Sequence, residues 1–211
     1  MYRLISATPS PYARKIRIQM AEKGIPFRLE TEVPWNDDTT LPAHNPLEKL
    51  PVLIREDGPP IFESQYIFEW IEAMHPDPAL LPADPADRLA VRRYEVIADG
   101  VCDALVLMFF ENLRPEGTRS QAWYDRQNRK VEGGLAALAE MCGDGDFAWG
   151  DRFTLADIVT GTVVRYLGVR WSHHTWRDDH PNLARLSDRL EQRPSFVDTV
   201  PSTQNITAAV V

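Results

Sequence analysis

The chain has 211 residues and a formal net charge of −8, with 44% apolar and 26% charged residues. This composition is ordinary for a soluble globular protein, and the length suits one large domain or two small ones. The acidic balance argues against a nucleic-acid partner, because a nucleic-acid surface needs clustered Lys and Arg. No apolar run reaches membrane-spanning length, and the N-terminus lacks the long apolar region of a secretion signal. We therefore expect a cytoplasmic protein that does not bind a membrane.

Residues 1–75 are predicted to form a small domain of mixed strand and helix. The pattern indicates, in chain order, a strand over Tyr2–Ser6, a helix from Ser10-Pro11 to about Gly24, a strand from Phe27 to Val33, a loop over 34–45, a hairpin of 51–54 and 60–62, and a helix over 64–74. The crossover helix makes the first two strands parallel, and the tight turn makes the last two antiparallel.

Residues 76–87 are predicted to be a linker, because they hold four prolines, which helix interiors do not tolerate. Residues 88–211 are expected to form an all-helical domain, with helices over roughly 86–114, 119–141, 155–168 and 182–192. The third of these helices has a clear start signal, in which Thr154 and Asp157 form a capping box flanked by an apolar staple. We assign that box a structural role only.

The cysteines and histidines lack the sequence spacing that is typical of a metal site. Cys102 and Cys142 are far apart and make no CxxC motif, which favours a reduced compartment over a disulfide framework. His173, His174 and His180 lie close together but lack a regular metal-ligand spacing. We expect no metal site.

Ser10 lies where the first strand gives way to the first helix. There the unpaired N–H groups and the helix dipole favour an anion. A serine followed by proline is also a common helix start, with Ser10 as the N-cap and Pro11 at the first helical position. The two interpretations are compatible, because a capping position is also where an anion is stabilised.

Glu63-Ser64 stands before the helix over 64–74 and admits two interpretations. In the first, Ser64 is an N-cap with an exposed acid beside it. In the second, Ser64 and the first helical N–H groups hold a carboxylate while Glu63 holds an ammonium, so that together they recognise the amino-acid end of a ligand. Pro51, just before an apolar strand, is expected at the strand's first residue, where its missing N–H costs no ladder bond.

These pieces together resemble the glutathione S-transferase superfamily, particularly its bacterial YibF-like members. The matching stretches are Ser10–Arg17, Ala21–Gly24, Asn45–Leu53, Phe62–Ser64, Ala98–Gly100, Phe153–Asp157 and Arg193–Phe196. Each stretch is short, but their order is preserved over nearly the whole chain. The resemblance implies a thioredoxin-like α/β N-terminal domain followed by an all-α C-terminal domain, in agreement with the division at 76–87.

The resemblance further implies that glutathione is the co-substrate and that the protein is a homodimer. By the family pattern Pro51 is cis, and the main chain of Val52 pairs with the cysteinyl part of glutathione like an added strand. The other implied contacts are Glu63 and Ser64 to the γ-glutamyl end, Lys49 and His44 to the glycyl carboxylate, and Asp99 and Asp103 to the γ-glutamyl amine of the opposite subunit's ligand. For the pair Asp99 and Asp103, an ordinary solvated acidic face is the alternative.

Ser10 is then the residue expected to activate the thiol. A serine can hydrogen-bond a thiolate but cannot form a mixed disulfide, so conjugation is favoured over thiol–disulfide exchange. Tyr12 is a weaker candidate for this role, because it would lie inside the first helix. The residues expected to contact a small hydrophobic electrophile are Tyr12, Leu107, Phe109, Phe110 and Trp171, although aromatic residues at helical spacing are also typical of a core. The alternative function is a glutathione-binding or protein-interaction module with little turnover.

Overall fold

The computed structural model describes residues 1–208, which form two units. The first unit contains residues 1–80 together with 194–208, and the second contains residues 81–193. Within these described residues, no helix is long and apolar enough to cross a membrane.

The first unit is built on a four-stranded sheet. Its elements in chain order are β1 (Tyr2–Ser6), α1 (Pro11–Glu22), β2 (Phe27–Thr31), a short 3-10 helix (Leu41–Ala43), β3 (Val52–Ile54), β4 (Ile61–Phe62) and α2 (Ser64–Met74). The strand order is β2-β1-β3-β4, with β1 parallel to β2 and β3 antiparallel to both of its neighbours. This is the mixed topology predicted from the sequence, since the crossover through α1 makes the first pair parallel.

Local signals set the two ends of α1. Ser10 is the N-cap, and Pro11 occupies the first helical turn, where its missing N–H is not needed. Past the other end, Gly24 takes a φ of +63°, a conformation that only glycine adopts without strain. Both boundaries were predicted.

A buried ion pair joins the ends of α1 and α2. The Lys23 ammonium lies 2.9 Å from the Glu72 carboxylate, and the exposed fractions of the two side chains are 0% and 8%. Lys23 also donates to the main-chain carbonyls of His75 at 2.8 Å and Pro78 at 2.7 Å. These acceptors replace the water that a buried ammonium loses.

The second unit is entirely helical. It contains α3 (Pro85–Leu113), a 3-10 turn (Glu116–Thr118), α4 (Gln121–Cys142), α5 (Leu155–Arg170), α6 (Trp176–Asp179) and α7 (Pro181–Leu190). The four long helices lie within a few residues of their predicted bounds, whereas α6 was not predicted. Helices α3 and α4 approach closely at Gly134, where an added Cβ would lie 2.2 Å from Val101 Cγ2.

The capping box at the start of α5 has the predicted geometry. Asp157 accepts from the main-chain N–H of Thr154 at 2.8 Å, and the Thr154 hydroxyl accepts from Ala156 N. Asp157 also accepts from Ala148 N at 2.8 Å, so one buried carboxylate fixes both the helix start and the segment before it.

The C-terminal residues correct the predicted domain division. The sequence assigned 88–211 to the helical domain, but residues 194–208, beginning with the short helix α8 (Pro194–Val197), pack in the first unit. The reason is Arg14 on α1, which is buried and donates to Thr199 Oγ1 at 3.3 Å and to the Phe196 carbonyl at 3.2 Å. We call residues 194–208 the C-terminal strap. The predicted linker is also divided, between Leu80 and Leu81.

Candidate functional site

Four chain segments meet at one edge of the sheet. The register pairs Ser6 at the end of β1 with Thr31 at the end of β2, and Ile5 with Val52 at the start of β3. Val52 in turn pairs with Phe62 at the end of β4. The segments that leave or enter the strands at this edge therefore carry Ser10, the loop after β2, the Leu50-Pro51 bond and Glu63-Ser64.

Ser10 is the N-cap of α1, as the first of its two interpretations predicted. Its Oγ accepts a hydrogen bond from Ala13 N at 3.2 Å, which confirms the capping interpretation. An oxygen that accepts in this way keeps its own hydrogen for donation to another group. Ser10 is half-buried at the N-terminal end of α1, where the helix dipole is positive. This geometry suits a hydroxyl that donates to an anion.

Tyr12 lies inside α1, as expected, and is half-buried. Its position in the first helical turn gives it no capping role, and the N-cap contact of this helix comes from Ser10.

The start of β3 corrects the predicted main-chain contact. The Leu50–Pro51 peptide bond is cis, as the resemblance implied. Val52, however, lies opposite Ile5 on one side and Phe62 on the other, so both sides of its strand are occupied by the sheet. An added strand cannot pair there. Leu50 stands before the ladder begins and is the nearest position at which an extended ligand could pair with this segment.

The turn before α2 places Glu63 and Ser64 side by side. Glu63, not Ser64, is the N-cap, and it makes no side-chain capping bond. Ser64 is the first helical residue, so the N-cap interpretation of Ser64 is wrong: its hydroxyl lies 3.4 Å from Glu63 Oε1. Glu63 has a φ of +70° and is exposed, whereas Ser64 is buried. A non-glycine residue held in this backbone region is a strained feature typical of binding sites.

Asn45 organises the segment that carries Lys49. The buried Asn45 side chain donates to the Lys49 carbonyl at 2.8 Å and accepts from Leu47 N at 2.9 Å. Lys49 is exposed, and His44, which directly follows the short 3-10 helix, is half-buried. The sequence reasoning did not give Asn45 this role, although asparagine before proline is a recognised turn signal.

Glu32 organises the loop after β2, and this role was also missed. Its carboxylate accepts from Thr39 Oγ1 at 2.6 Å, from Thr40 N at 2.9 Å and from Thr40 Oγ1 at 2.5 Å. Burial raises the pKa of Glu32, but these hydrogen bonds outweigh it and hold the pKa below the usual value of a glutamate. Thr40 directly precedes the 3-10 helix, and His44 directly follows it, so Glu32 fixes the segment that leads to His44.

The remaining predicted residues belong to the helical unit. Asp99 and Asp103 lie one turn apart on α3, the first half-buried and the second exposed. Leu107 on the same helix is 41% exposed. Phe109 and Phe110 are half-buried and contact each other edge to face, with ring centroids 5.2 Å apart.

Trp171 belongs to the core of the helical unit, contrary to its assignment as an electrophile contact. Its side chain is 6% exposed and packs edge-on against Tyr166, with ring centroids 6.4 Å apart. A large aromatic ring so enclosed contributes burial energy to the helical core. The core interpretation of this residue is therefore the correct one.

The two cysteines are free and buried. Burial raises the pKa of the Cys142 thiol to about 12, which leaves almost no thiolate at neutral pH. Among residues 1–208, no group of three or more His, Cys, Asp and Glu side chains is arranged to hold a metal ion.

Comparisons with known proteins identify the family to which this fold belongs. The model of the glutathione S-transferase N-terminal domain matches residues 9–74, and that of the C-terminal domain matches residues 121–189. The chain belongs to the glutathione S-transferase family.

Individual relatives agree with this assignment. The chain is 38% identical to the GST-like protein YibF of Escherichia coli, over 94% of this chain and 98% of that protein. It is also similar to a solved glutathione S-transferase from Methylobacterium radiotolerans in complex with glutathione sulfonate, with 63% identity, a TM-score of 0.98, and coverage of 100% and 99% of the two chains. A glutathione S-transferase from Methylobacillus flagellatus with glutathione bound is 38% identical, with a TM-score of 0.92 over 96% and 100% of the two chains.

Proposed function

We propose that this chain is a serine-type glutathione transferase, in which Ser10 holds the sulfur of glutathione as the thiolate. The observation that carries the proposal is the hydrogen bond from Ala13 N to Ser10 Oγ, because it fixes the oxygen at the helix start and leaves the hydroxyl hydrogen for donation. The thiolate attacks an electrophilic carbon of a small hydrophobic molecule. A sulfur–carbon bond forms, a leaving group such as halide departs with its electron pair, and the thiol proton has already gone to solvent.

The energies available at Ser10 are sufficient for this role. A free thiol has a pKa of about 8.5, and lowering it by about two units requires roughly 2.7 kcal/mol. One hydrogen bond to a charged group contributes about 1.5–3 kcal/mol, and the helix N-terminus adds about 0.3–1 kcal/mol. Ser10 and α1 together therefore need no general base.

We further propose how the sheet edge holds the tripeptide. Leu50, in place of the predicted Val52, pairs its main chain with the cysteinyl part. The Glu63 carboxylate binds the γ-glutamyl ammonium, and Ser64 with the first N–H groups of α2 binds the γ-glutamyl carboxylate. Lys49 and His44 are the proposed partners of the glycyl carboxylate. In the helical unit, Leu107, Phe109 and Phe110 remain the proposed contacts of the electrophile.

The homodimer is also a proposal, and the surface of α3 supports it. Leu89 and Val96 are 72% and 66% exposed. With Asp103 they recur every seven residues and so lie along one face of the helix. Exposed apolar side chains aligned in this way favour a protein partner. We expect wild type to sediment as a dimer and Val96→Asp to sediment as a monomer, and a monomeric wild type would contradict the proposal.

The decisive experiment measures the ultraviolet absorbance of bound thiolate against pH, together with steady-state conjugation of glutathione to an aryl halide. In Ser10→Ala we expect the pKa of the bound thiol to rise by about one to two units, because the hydrogen bond of about 1.5–3 kcal/mol is lost while the contribution of the helix N-terminus stays. Ser10→Gly separates this effect from helix capping, because glycine is tolerated at an N-cap within a few tenths of a kcal/mol. Ser10→Thr keeps a hydroxyl and is the matched control.

Three outcomes would change the conclusion. An unchanged thiol pKa in both Ser10→Ala and Ser10→Gly would exclude Ser10 as the activating residue. Calorimetric binding of glutathione without turnover of a broad panel of electrophiles would favour a binding module. No binding at all would leave a protein-interaction role.

A further inference from the structure

The C-terminal strap runs along α1 toward the proposed thiol site. Near the end of α1 the Ser195 hydroxyl bonds to Glu22. One and two turns earlier, Arg17 donates to the Asp198 carbonyl at 2.9 Å and Arg14 donates to Thr199 Oγ1 at 3.3 Å. The strap therefore runs antiparallel to the helix, from its C-terminal end to its N-terminal end.

Beyond α1 the strap is attached to the turn that carries Ser10. The Thr8 hydroxyl donates to the Ser202 carbonyl at 2.9 Å. Pro9, which is buried, separates Thr8 from Ser10 and limits the backbone between them. Ser10 N in turn donates to the Ala7 carbonyl at 3.1 Å, which closes the turn. Because the turn is short and stiff, a tether at Thr8 restricts the position of the Ser10 hydroxyl.

The strap is next attached to the loop that leads to His44. Gln204 Nε2 donates to the Glu32 carbonyl at 3.4 Å, and Thr207 N donates to Asn36 Oδ1 at 2.8 Å. The Glu32 carboxylate organises Thr39 and Thr40 in the same loop, as described above. One continuous segment thus connects two of the four chain segments that meet at the edge of the sheet.

We infer that residues 202–207 of the C-terminal strap form a positioning element for glutathione, in which the contact to Thr8 orients the Ser10 hydroxyl and the contact to Asn36 positions the loop before His44. The inference rests on the proposed function of Ser10, and it assigns a role to residues that do not touch the reacting sulfur. Catalytic geometry tolerates little displacement, because a hydrogen bond to a thiolate weakens steeply when its angle changes.

The two attachments predict two different kinetic effects. Thr8→Val removes the hydroxyl that holds Ser202 but keeps the shape of the side chain. We expect it to raise the pKa of the bound thiol and to lower kcat roughly three- to tenfold, the worth of one hydrogen bond. Asn36→Leu removes the acceptor for Thr207 N, and we expect it to raise the KM for glutathione by a similar factor with little change in thiol pKa.

Controls separate positioning from general loosening. Thr8→Ser keeps the hydroxyl, and we expect it to restore the wild-type thiol pKa. Ser195→Ala removes a strap contact at the far end of α1, and we expect it to change stability without changing thiol pKa or KM. The probe in every assay is glutathione itself, measured by thiolate absorbance, calorimetry and conjugation to the aryl halide.

A failure of the positioning inference can be distinguished from a failure of the proposed function. A wild-type thiolate signal that is unchanged in Thr8→Val would overturn the positioning role while leaving the function of Ser10 intact. An equal rise in thiol pKa in Thr8→Val and Ser195→Ala would also overturn it, because the effect would then be general. If wild type binds no glutathione, the proposed function fails and the inference fails with it.

Discussion

The Asp157 carboxylate accepts the main-chain N–H of Thr154 at 2.8 Å while buried at the first turn of α5. Burial raises the pKa of Asp157 to about 6, against hydrogen bonds from Ala148 and Thr154 that lower it. The folded state therefore holds a proton on this group at pH values where the unfolded chain has lost it. This relationship gives the helical unit a specific dependence on pH.

The first prediction concerns that pH dependence. Between about pH 4 and pH 6 the folded state binds more protons at Asp157 than the unfolded state does, so this group makes the free energy of unfolding fall as pH rises. The expected loss is of order 3 kcal/mol, since two pKa units correspond to about 2.7 kcal/mol. Urea unfolding from pH 4 to pH 8 of wild type and Asp157→Asn measures it.

Wild type is compared with Asp157→Asn at each pH, because the difference between their free energies of unfolding cancels the contributions of the other titrating groups. Asp157→Asn is expected to be destabilised at every pH, because an amide cannot accept from both Thr154 N and Ala148 N. The stability advantage of wild type over this variant should shrink as pH rises from about 4 to about 6 and stay constant at higher pH. A constant advantage would show that Asp157 titrates alike in the folded and unfolded states.

The second prediction concerns the buried pair of Lys23 and Glu72. Lys23→Met leaves the Glu72 carboxylate buried without its cation, and we expect a loss of about 3 kcal/mol in the free energy of unfolding. Arg28→Met is the matched control, because Arg28 pairs with Glu30 at the surface with its side chain 72% exposed. The control should change stability by less than about 1 kcal/mol. Similar losses in both variants would refute the special role of burial.

The third prediction concerns the backbone at Glu63. Glu63→Gly and Glu63→Ala both remove the carboxylate, so both should weaken glutathione binding in calorimetry. Only glycine relieves the φ of +70°, so the glycine variant should be more stable than the alanine variant by about 1 kcal/mol. Equal stabilities in thermal unfolding would mean that the turn relaxes in the alanine variant.

The fourth prediction concerns the thiols. Cys102 and Cys142 are both buried, and the raised pKa of Cys142 suppresses its thiolate. Neither should react with an aromatic disulfide reagent in the native protein, whereas both should react after unfolding in urea. Rapid labelling of the native chain would reopen disulfide reduction by the protein's own cysteines as a candidate activity.

Local sequence signals predicted the elements well. Ser10, Pro11 and Gly24 bound α1, and Thr154 with Asp157 starts α5, because each of these contacts closes within a few residues. The mixed sheet followed from the length of the crossover and the tight turn. These features depend on neighbours along the chain, which a single sequence displays directly.

Long-range contacts explain what the sequence did not predict. The charge of Arg14 favours a surface position on an amphipathic helix. The side chain is nevertheless buried, because it bonds to Phe196 and Thr199, which lie more than 180 positions later in the chain. The error at Val52 has the same origin, because the periodicity of a strand does not reveal that neighbours occupy both of its sides. Asn45 was detectable as a turn residue, but its bond to the Lys49 carbonyl was not.

The β3–β4 turn and Ser10 lie at opposite ends of the four-stranded sheet. The turn through Asp57 and Gly58, between β3 and β4, lies at the end away from Ser10, because β4 returns from it toward Phe62. We therefore expect insertions or fluorescent labels at this turn to leave the proposed glutathione site intact, whereas the same changes beside Pro51 should disturb it. The turn through Asp57 and Gly58 is thus the suitable place to tether the protein to a surface for binding measurements.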